Sequence, residues 1–358
     1  VLEKRRRAYL RAKQKELEEK TSSLDKTIEA FRKVYENIDF SGVDPIPFDA
    51  IRRELKCVDE AAREISGQLY EWQEESENAK KEKGDRVDYY SPPNNNELHE
   101  LRELSSAIDD FYTFLDSEVC TLANDPYLIV VGPAGIGKSH ALADIVSGRK
   151  SNNQTSLLLL GENFSTNEMP WTQILRNQLR FDGNEDTLLG ALNAKAESQQ
   201  SRIIIVIDAL NEGNGRRVWP KKLKSFIRSF HRFPWLGLIV SIRDSFEDLI
   251  APESEIDNSI ASRIYHPGFE GLEYEASIHF FIHYDIIPPG SPLLHPEFQN
   301  PLFLKLFCEG LKKRGLKQVP DGYQGISAII ENYLEGVEEK LAQPDELDYD
   351  IKLKLLRK

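Results

Sequence analysis

The chain has 358 residues, of which 40% are hydrophobic and 29% charged, and its formal net charge is −13 at pH 7. That length exceeds the roughly 250–300 residues that one hydrophobic core usually supports, so two or three domains are expected. Without a run of about 18 apolar residues, no membrane-spanning helix is predicted, and the acidic balance disfavours nonspecific nucleic-acid binding, which needs a basic surface.

The opening segment VLEKRRRAYL is densely charged and lacks the apolar stretch of a signal peptide. The missing initiator Met and the charged helical pattern at the other end suggest an excerpt from a longer protein. The cysteines Cys57, Cys120 and Cys308 are isolated in the sequence, so neither a disulfide framework nor a Cys-x-x-Cys metal site is expected. A reducing, cytoplasmic setting is the simplest interpretation.

Residues 1–96 are predicted to form a helical linker or small bundle. The first helix carries one apolar stripe, with a residue every seven positions at Leu10, Leu17, Leu24, Phe31 and Ile38. The companion heptad position is mixed, which favours an amphipathic helix in a bundle over a coiled coil. We interpret the basic cluster at its start as a solvated helix face, with contact to nucleic acid or to an acidic neighbouring domain as the alternative.

Gly and Pro residues in segment 39–49 end that first helix. A second helical pattern runs from about Phe48 to Lys80, and a third from about Glu97 to Leu122. Segment 82–97 between them is polar and proline-rich, which is typical of a linker or loop.

From Tyr127 onward the pattern changes to continuous apolar runs, which are typical of buried parallel strands. The runs are YLIVVG, SLLLLG (156–161), RIIIVID (202–208) and LGLIVSI (236–242). Helical patterns lie between them, around 139–148, 170–199 and 218–232. Alternating strands and helices predict an α/β core, a P-loop NTPase three-layer parallel sheet, over 97–270. The helical patterns that follow predict a helical lid or winged-helix-like region over 271–358.

The segment GPAGIGKS (132–139) fits the phosphate-binding loop pattern G-x-x-x-x-G-K-[ST], with a predicted strand before it and a helix after it. Glycines let backbone N–H groups face phosphate oxygens, and the helix adds its positive end. Lys138 is predicted to reach the β- and γ-phosphates, and Ser139 to ligate Mg²⁺. The predicted nucleotide-binding residues of this loop are Gly132, Pro133, Ala134, Gly135, Ile136, Gly137, Lys138, Ser139 and His140.

The segment RIIIVIDALNEG (202–213) ends an apolar strand at Asp208. An acidic residue at that point holds Mg²⁺ directly or through water. Glu212 follows in the loop at the strand's carboxyl end, where active sites gather, and is the candidate to polarise the attacking water. A plain surface carboxylate is the alternative. Ala209 stands where many ATP-driven motors carry a second acidic residue, which disfavours a fast hydrolytic motor.

Arg243 follows the strand LIVSI (238–242), which we expect next to the Asp208 strand, and is the candidate sensor of the γ-phosphate. The alternative is a surface salt bridge with Asp244 or Glu247. In QNPLFLKLFCEGL (299–311), Pro301 opens an apolar helix.

These four motifs, in this order, resemble the STAND class of P-loop NTPases, which are relatives of the NACHT proteins. The DALNE segment (208–212) is the most characteristic, SIRDS (241–245) is similar to the arginine-bearing sensor strand, and Asn-Pro-Leu (300–302) is similar to the proline motif of the small helical domain. LLLLGENFSTNEMPWTQIL (157–175) and IDALNEG look closer still to the antiviral Avs group. The resemblance covers roughly residues 100–345.

The resemblance implies an ATP- and Mg²⁺-binding switch in which the helix of Pro301 packs near the adenine. It further implies an N-terminal effector, a C-terminal sensor that binds a phage protein, and assembly into homo-oligomers, commonly tetramers, in antiviral defence. No nuclease or hydrolase constellation is recognisable in residues 1–120. Among the histidines, His266 is the candidate for nucleotide contact, and the others are interpreted as structural.

Three other functions remain open at this stage. An AAA+-type ATP-driven motor or loader, acting on nucleic acid or protein, would use a similar sheet and helical lid. A phosphotransferase would need an acceptor pocket, usually in a compact single domain. A scaffold that keeps ATP as a structural ligand would not depend on Glu212 for turnover.

Overall fold

The computed structural model describes residues 2–40, 42–83, 95–289 and 296–319. The chain divides into two compact units, Val1–Pro126 and Tyr127–Lys358. This division lies after the boundary expected at residue 96, because the helix predicted from Glu97 packs with the helices before it. The three-domain boundaries stay a prediction. Most of the predicted linker and the helical pattern at 326–342 lie outside the described residues.

The first unit is built from helices, with bounds α1 (Leu2–Glu36), α2 (Phe48–Lys83), α3 (Asn95–Leu115) and α4 (Glu118–Asn124). Helix α1 packs against α2, and α2 packs against α3. The stripe predicted from the heptad spacing contributes to the common core, where Leu24 is buried and Leu10, Leu17, Phe31 and Ile38 are partly buried. This packing is the one that the bundle interpretation predicts.

The second unit contains a five-stranded parallel sheet in the order β2-β3-β4-β1-β5. The strands are β1 (Tyr127–Gly132), β2 (Ser156–Leu160), β3 (Ile203–Asp208), β4 (Leu236–Arg243) and β5 (Ser262–Tyr265). The first four coincide with the predicted apolar runs, and the predicted α/β P-loop fold is confirmed. Strand β5 was missed, because SRIY offers no continuous apolar run and its residues are mostly partly exposed.

Strand order brings the carboxyl ends of β3, β4 and β1 side by side. Gly132 at the end of β1 lies opposite Arg243 at the end of β4, and β3 pairs with β4 on the other side. The predicted adjacency of the Asp208 strand and the Arg243 strand is therefore confirmed. Residues that follow these strands meet at one edge of the sheet, where ligands bind in open parallel sheets.

In the part of the second unit that the structure describes, the α-helices are α5 (Lys138–Ser151), α6 (Pro170–Gln173), α7 (Glu185–Ser198), α8 (Gly215–Val218), α9 (Leu223–Arg228), α10 (Glu247–Ile250), α11 (Glu273–His283) and α12 (Pro301–Lys313). The helical pattern predicted around 170–199 is present but interrupted. Helix α6 passes into a π-helical turn at Ile174–Gln178, and Arg180 then adopts a left-handed φ of 51° that no α-helix continues. The pattern predicted over 218–232 is likewise split, between α8 and α9.

Helices α11 and α12 share a small apolar core of their own, with Phe281, Phe298, Phe307 and Leu311 fully buried. Within the residues that the structure describes, no helix is long and apolar enough to cross a bilayer. All three cysteines are unpaired.

Candidate nucleotide site

The phosphate loop connects β1 to α5 and wraps one end of a cavity of about 560 Å³. Gly135 and Gly137 adopt φ angles of 76° and 104°, which side-chain-bearing residues rarely adopt. A Cβ at Gly135 would lie 2.7 Å from Leu302 Cδ2. Both glycines are therefore required by the backbone, as a loop that turns its N–H groups toward a ligand demands.

Lys138 is folded back onto its own loop. Its ammonium donates to the carbonyl oxygens of Gly132, at 2.6 Å, and of Pro133, at 2.8 Å. Burial lowers the pKa of Lys138, and the negative charge of Asp244 opposes part of that effect. An ammonium has three protons to donate, so two are used by the loop and one remains for a ligand.

Asp208 is 9% exposed, and its Oδ1 accepts a hydrogen bond from Ser241 Oγ at 2.5 Å. Its other carboxylate oxygen has no hydrogen-bond partner among the described residues. No group of three or more His, Cys, Asp or Glu side chains in the described ranges forms a metal cage. Mg²⁺ usually takes one or two carboxylates together with substrate phosphates and water. A single available carboxylate oxygen beside Ser139 fits such a site, and both residues line the cavity.

Glu212 and Arg243 form an ion pair, with Arg243 Nη2 at 2.9 Å from Glu212 Oε1. Both side chains are 40% exposed, so the pair contributes at most about 1 kcal/mol to stability. The alternative partners expected for Arg243 were Asp244 and Glu247, and the structure shows neither pairing. The candidate water-polarising carboxylate and the candidate phosphate sensor therefore contact one another directly.

The loop after β3 is tied to the end of β4 by three hydrogen bonds. Ala209 N–H donates to Ser241 Oγ at 2.6 Å, Leu210 N–H donates to the Ser241 carbonyl at 2.9 Å, and Arg243 N–H donates to Asn211 Oδ1 at 3.0 Å. These bonds hold the backbones of the Asp208–Glu212 loop and of Arg243 in one arrangement.

The start of α12 lies on the phosphate loop. Asn300 caps the helix, because its Oδ1 accepts from the N–H groups of Leu302 and Phe303. Asn300 Nδ2 donates to the Ala134 carbonyl at 3.4 Å, and Leu302 N–H donates to the Gly135 carbonyl at 3.2 Å. The helical segment after the sheet thus contacts the loop at the cavity.

His266 follows β5 and lies beside the loop. Its Nδ1 accepts from Gly268 N–H at 3.1 Å. Burial, and then the positive charge of Lys138, lower the pKa of His266. A neutral imidazole that accepts at Nδ1 carries its proton on Nε2, which leaves a donor at the edge of the cavity.

The structure brings together all of the sequence-predicted site residues, although not all of them line the cavity. The predicted residues on the cavity wall are Ala134, Gly135, Ile136, Gly137, Lys138, Ser139, His140, Asp208, Glu212, Arg243, His266 and Pro301. Gly132 and Pro133 instead hold the Lys138 ammonium from behind.

Sequence reasoning missed several cavity residues, chiefly Asp144, Asn211, Phe269, Phe280 and Lys305. Phe269 and Phe280 form an edge-to-face pair with ring centroids 5.9 Å apart. Their only sequence signal was the apolar pattern of a helical segment. The position of these rings at the cavity is a property of how α11 and α12 pack.

No protein-family model and no curated protein matches the chain. Similar solved structures include Cdc6p from Pyrobaculum aerophilum, at 14% identity and a TM-score of 0.36, covering 72% of this chain and 74% of that one. C. elegans PCH-2 has 12% identity and a TM-score of 0.30, covering 70% and 71%. Drosophila ORC bound to AT-rich DNA and Cdc6 has 12% identity and a TM-score of 0.28, covering 68% and 89%. Because these TM-scores are below 0.5, the function of this chain has to be inferred from its own residues.

Proposed function

We propose that the chain binds ATP with Mg²⁺ and acts as a nucleotide-dependent switch of the STAND type. The observation that supports this most directly is the contact between the phosphate loop and the start of α12. There Leu302 N–H donates to the Gly135 carbonyl, and Asn300 Nδ2 donates to the Ala134 carbonyl. A nucleotide held by the loop acts on the same backbone that supports the helical segment. A switch requires only that the nucleotide bind two arrangements of that segment with different affinities.

In this proposal the loop glycines and Lys138 hold the β- and γ-phosphates, and Ser139 and Asp208 hold Mg²⁺. The ion neutralises phosphate charge when bound. Arg243 reports the γ-phosphate, while Pro301 closes over the base. Adenine is chosen on the resemblance, and the sequence contains no guanine-reading N-K-x-D motif, which agrees with that choice.

Hydrolysis is proposed to be slow. Ala209 follows Asp208 directly, so the loop lacks the second acidic residue of many motors. Glu212 is the remaining candidate to polarise water, and its carboxylate is bound to Arg243 at 2.9 Å. Slow turnover suits a device that stores its state in the bound nucleotide.

The resemblance extends the proposal to the assembly around the switch. ATP binding would expose a self-association surface and lead to a homo-oligomer, such as the tetramer that the resemblance implies. A phage protein, recognised by a sensor outside this chain, would trigger assembly, and an effector on the N-terminal side would carry out antiviral defence in the cytoplasm. An AAA+-type motor or loader remains the alternative.

The first test is nucleotide content. The purified chain is denatured and the released nucleotide is identified by chromatography, beside Lys138→Ala. We expect retained ATP or ADP in the wild type and at least about tenfold weaker binding in the variant, because a charge-assisted contact is lost. Lys150→Ala, an exposed lysine of the same helix, should bind normally. An empty wild-type protein that hydrolyses ATP quickly when nucleic acid is added would instead favour the motor.

The second test concerns turnover. Glu212→Gln removes the candidate base while keeping a hydrogen-bond acceptor for Arg243. We expect phosphate release in a single turnover to slow by about 10²–10⁴-fold, with ATP affinity retained. Glu197→Gln, at an exposed position of α7 that does not line the cavity, should leave the rate unchanged. Equal rates for Glu212→Gln and wild type would favour ATP as a structural ligand.

A further inference from the structure

Asn211 lies inside the loop after β3 and is 1% exposed. Its Oδ1 accepts from Arg243 N–H at 3.0 Å. Because a backbone N–H can only donate, this contact identifies the oxygen end of the amide. The other end, Nδ2, is buried and has no hydrogen-bond partner among the residues that the structure describes.

A buried donor without an acceptor costs free energy, and most such groups in proteins are paired. The neighbouring polar groups of the same loop are paired: Ala209 N–H with Ser241 Oγ, and Asp208 Oδ1 with the Ser241 hydroxyl. The unpaired amide therefore stands out within a segment that is otherwise satisfied. A ligand atom that is absent from the protein itself is the simplest partner for it.

Asn211 lines the same cavity as the phosphate-loop residues Gly135–Ser139. It lies between Asp208, the candidate magnesium ligand, and Glu212, the candidate base. The two aromatic residues named at the cavity wall, Phe269 and Phe280, belong to the segment after β5, and their rings fit a base rather than a phosphate. An amide donor placed beside Asp208 and Glu212 is therefore positioned for an oxygen of the terminal phosphate.

We propose that Asn211 Nδ2 donates a hydrogen bond to an oxygen of the γ-phosphate of the bound nucleotide, so that Asn211 distinguishes a nucleoside triphosphate from a diphosphate. The inference rests on the proposed function, because it needs a triphosphate in this cavity. The nitrogen has no exposed surface in the structure, so the Glu212–Arg243 ion pair beside it has to rearrange first. A γ-phosphate draws Arg243 toward itself and brings about that rearrangement.

The test compares two substitutions of Asn211 that both remove the Nδ2 donor, only one of which keeps the oxygen that accepts from Arg243 N–H. Asn211→Ala removes both ends of the amide. Asn211→Asp keeps an acceptor for Arg243 N–H and replaces the donor by a carboxylate oxygen that repels phosphate. Asn214→Ala is the control, since Asn214 donates to Thr166 and Asn167 instead and does not line the cavity. Each variant is titrated calorimetrically with Mg²⁺ and either a non-hydrolysable ATP analogue or ADP.

We expect both Asn211 variants to bind the ATP analogue about 10- to 100-fold more weakly, with ADP affinity changed less than about twofold, whereas Asn214→Ala matches the wild type. Equal weakening of both nucleotides by Asn211→Ala, restored by Asn211→Asp, would show that Asn211 serves only to hold Arg243 and would overturn the proposal. Unchanged ATP affinity in both variants would overturn it as well.

Parallel titrations of the wild type and Lys138→Ala test the proposed nucleotide binding separately from the role of Asn211. Wild-type binding that Lys138→Ala abolishes supports the proposed function whatever Asn211 does. A wild-type protein that binds neither nucleotide overturns both.

Discussion

At the scale of single residues, the loop after β3 depends on a close backbone approach. Gly161, which follows β2, lies so near this loop that a Cβ there would be 1.9 Å from the Ala209 carbonyl oxygen. Ala209 itself adopts a φ of 55°, a conformation that costs a side-chain-bearing residue about 1–2 kcal/mol. The loop is therefore strained at Ala209, directly after the candidate metal ligand Asp208. A small side chain at this position fits the close approach of Gly161.

Gly161→Ala is expected to lower the free energy of unfolding by about 1–3 kcal/mol, because the added methyl group displaces the Ala209 carbonyl. The matched control is Gly148→Ala near the carboxyl end of α5, where a Cβ meets nothing within 4 Å. That change should stabilise the chain by about 0.5–1 kcal/mol, since alanine is the better helix former. Chemical denaturation measures both, and equal effects of the two substitutions would contradict the close approach.

At the scale of elements, one asparagine both caps α12 and contributes to the contact between α12 and the phosphate loop. Asn300 caps α12 through Oδ1 and reaches the Ala134 carbonyl through Nδ2. Asn184 caps α7 in the same way, with Oδ1 accepting from Thr187 N–H at 2.9 Å. Two helix caps of the same residue type thus differ in whether they also contact the nucleotide loop.

Asn300→Ala and Asn184→Ala are each expected to destabilise the chain by about 0.5–2 kcal/mol through the lost cap. Only Asn300→Ala should also speed nucleotide release, because it loosens α12 from the loop that holds the phosphates. Stopped-flow displacement of a fluorescent ATP analogue measures the dissociation rate of each variant. If both variants release nucleotide at the wild-type rate, the contact between α12 and the phosphate loop does not couple α12 to nucleotide binding.

At the scale of the whole molecule, the chain holds two compact units with separate cores. The phosphate loop, the sheet and the helical segment after it all belong to Tyr127–Lys358. The free energy of nucleotide binding is accordingly expected to stabilise this unit.

Adding Mg²⁺ and ATP at about 100 times the dissociation constant should raise the stability of that unit by about 2.7 kcal/mol. Hydrogen exchange followed by mass spectrometry resolves where protection appears. We expect slower exchange in β1, β3, β4 and α12, and little change in α1 and α2. Lys138→Ala should show no such gain, and protection spread evenly over both units would contradict the expectation.

Much of the fold and site could be predicted from local pattern. The four apolar strands and the phosphate loop were placed correctly, because a buried parallel strand leaves a continuous apolar run and the loop's glycines leave a fixed spacing. Strand β5 and the interruption of the helix after Gln178 have no comparable pattern in the sequence. Strand β5 pairs only with β1 at the sheet edge, and the break depends on the left-handed turn at Arg180.

The sequence by itself determined the phosphate loop, the parallel α/β class and the candidate roles of Asp208, Glu212 and Arg243, since each depends on residues close together in the chain. Only the tertiary structure decided that Arg243 binds Glu212, that Asn300 reaches Ala134 and that Asn211 keeps an unpaired donor. Those contacts join the ends of different strands and helices. Their geometry depends on strand order and helix packing, which involve residues far apart in the chain.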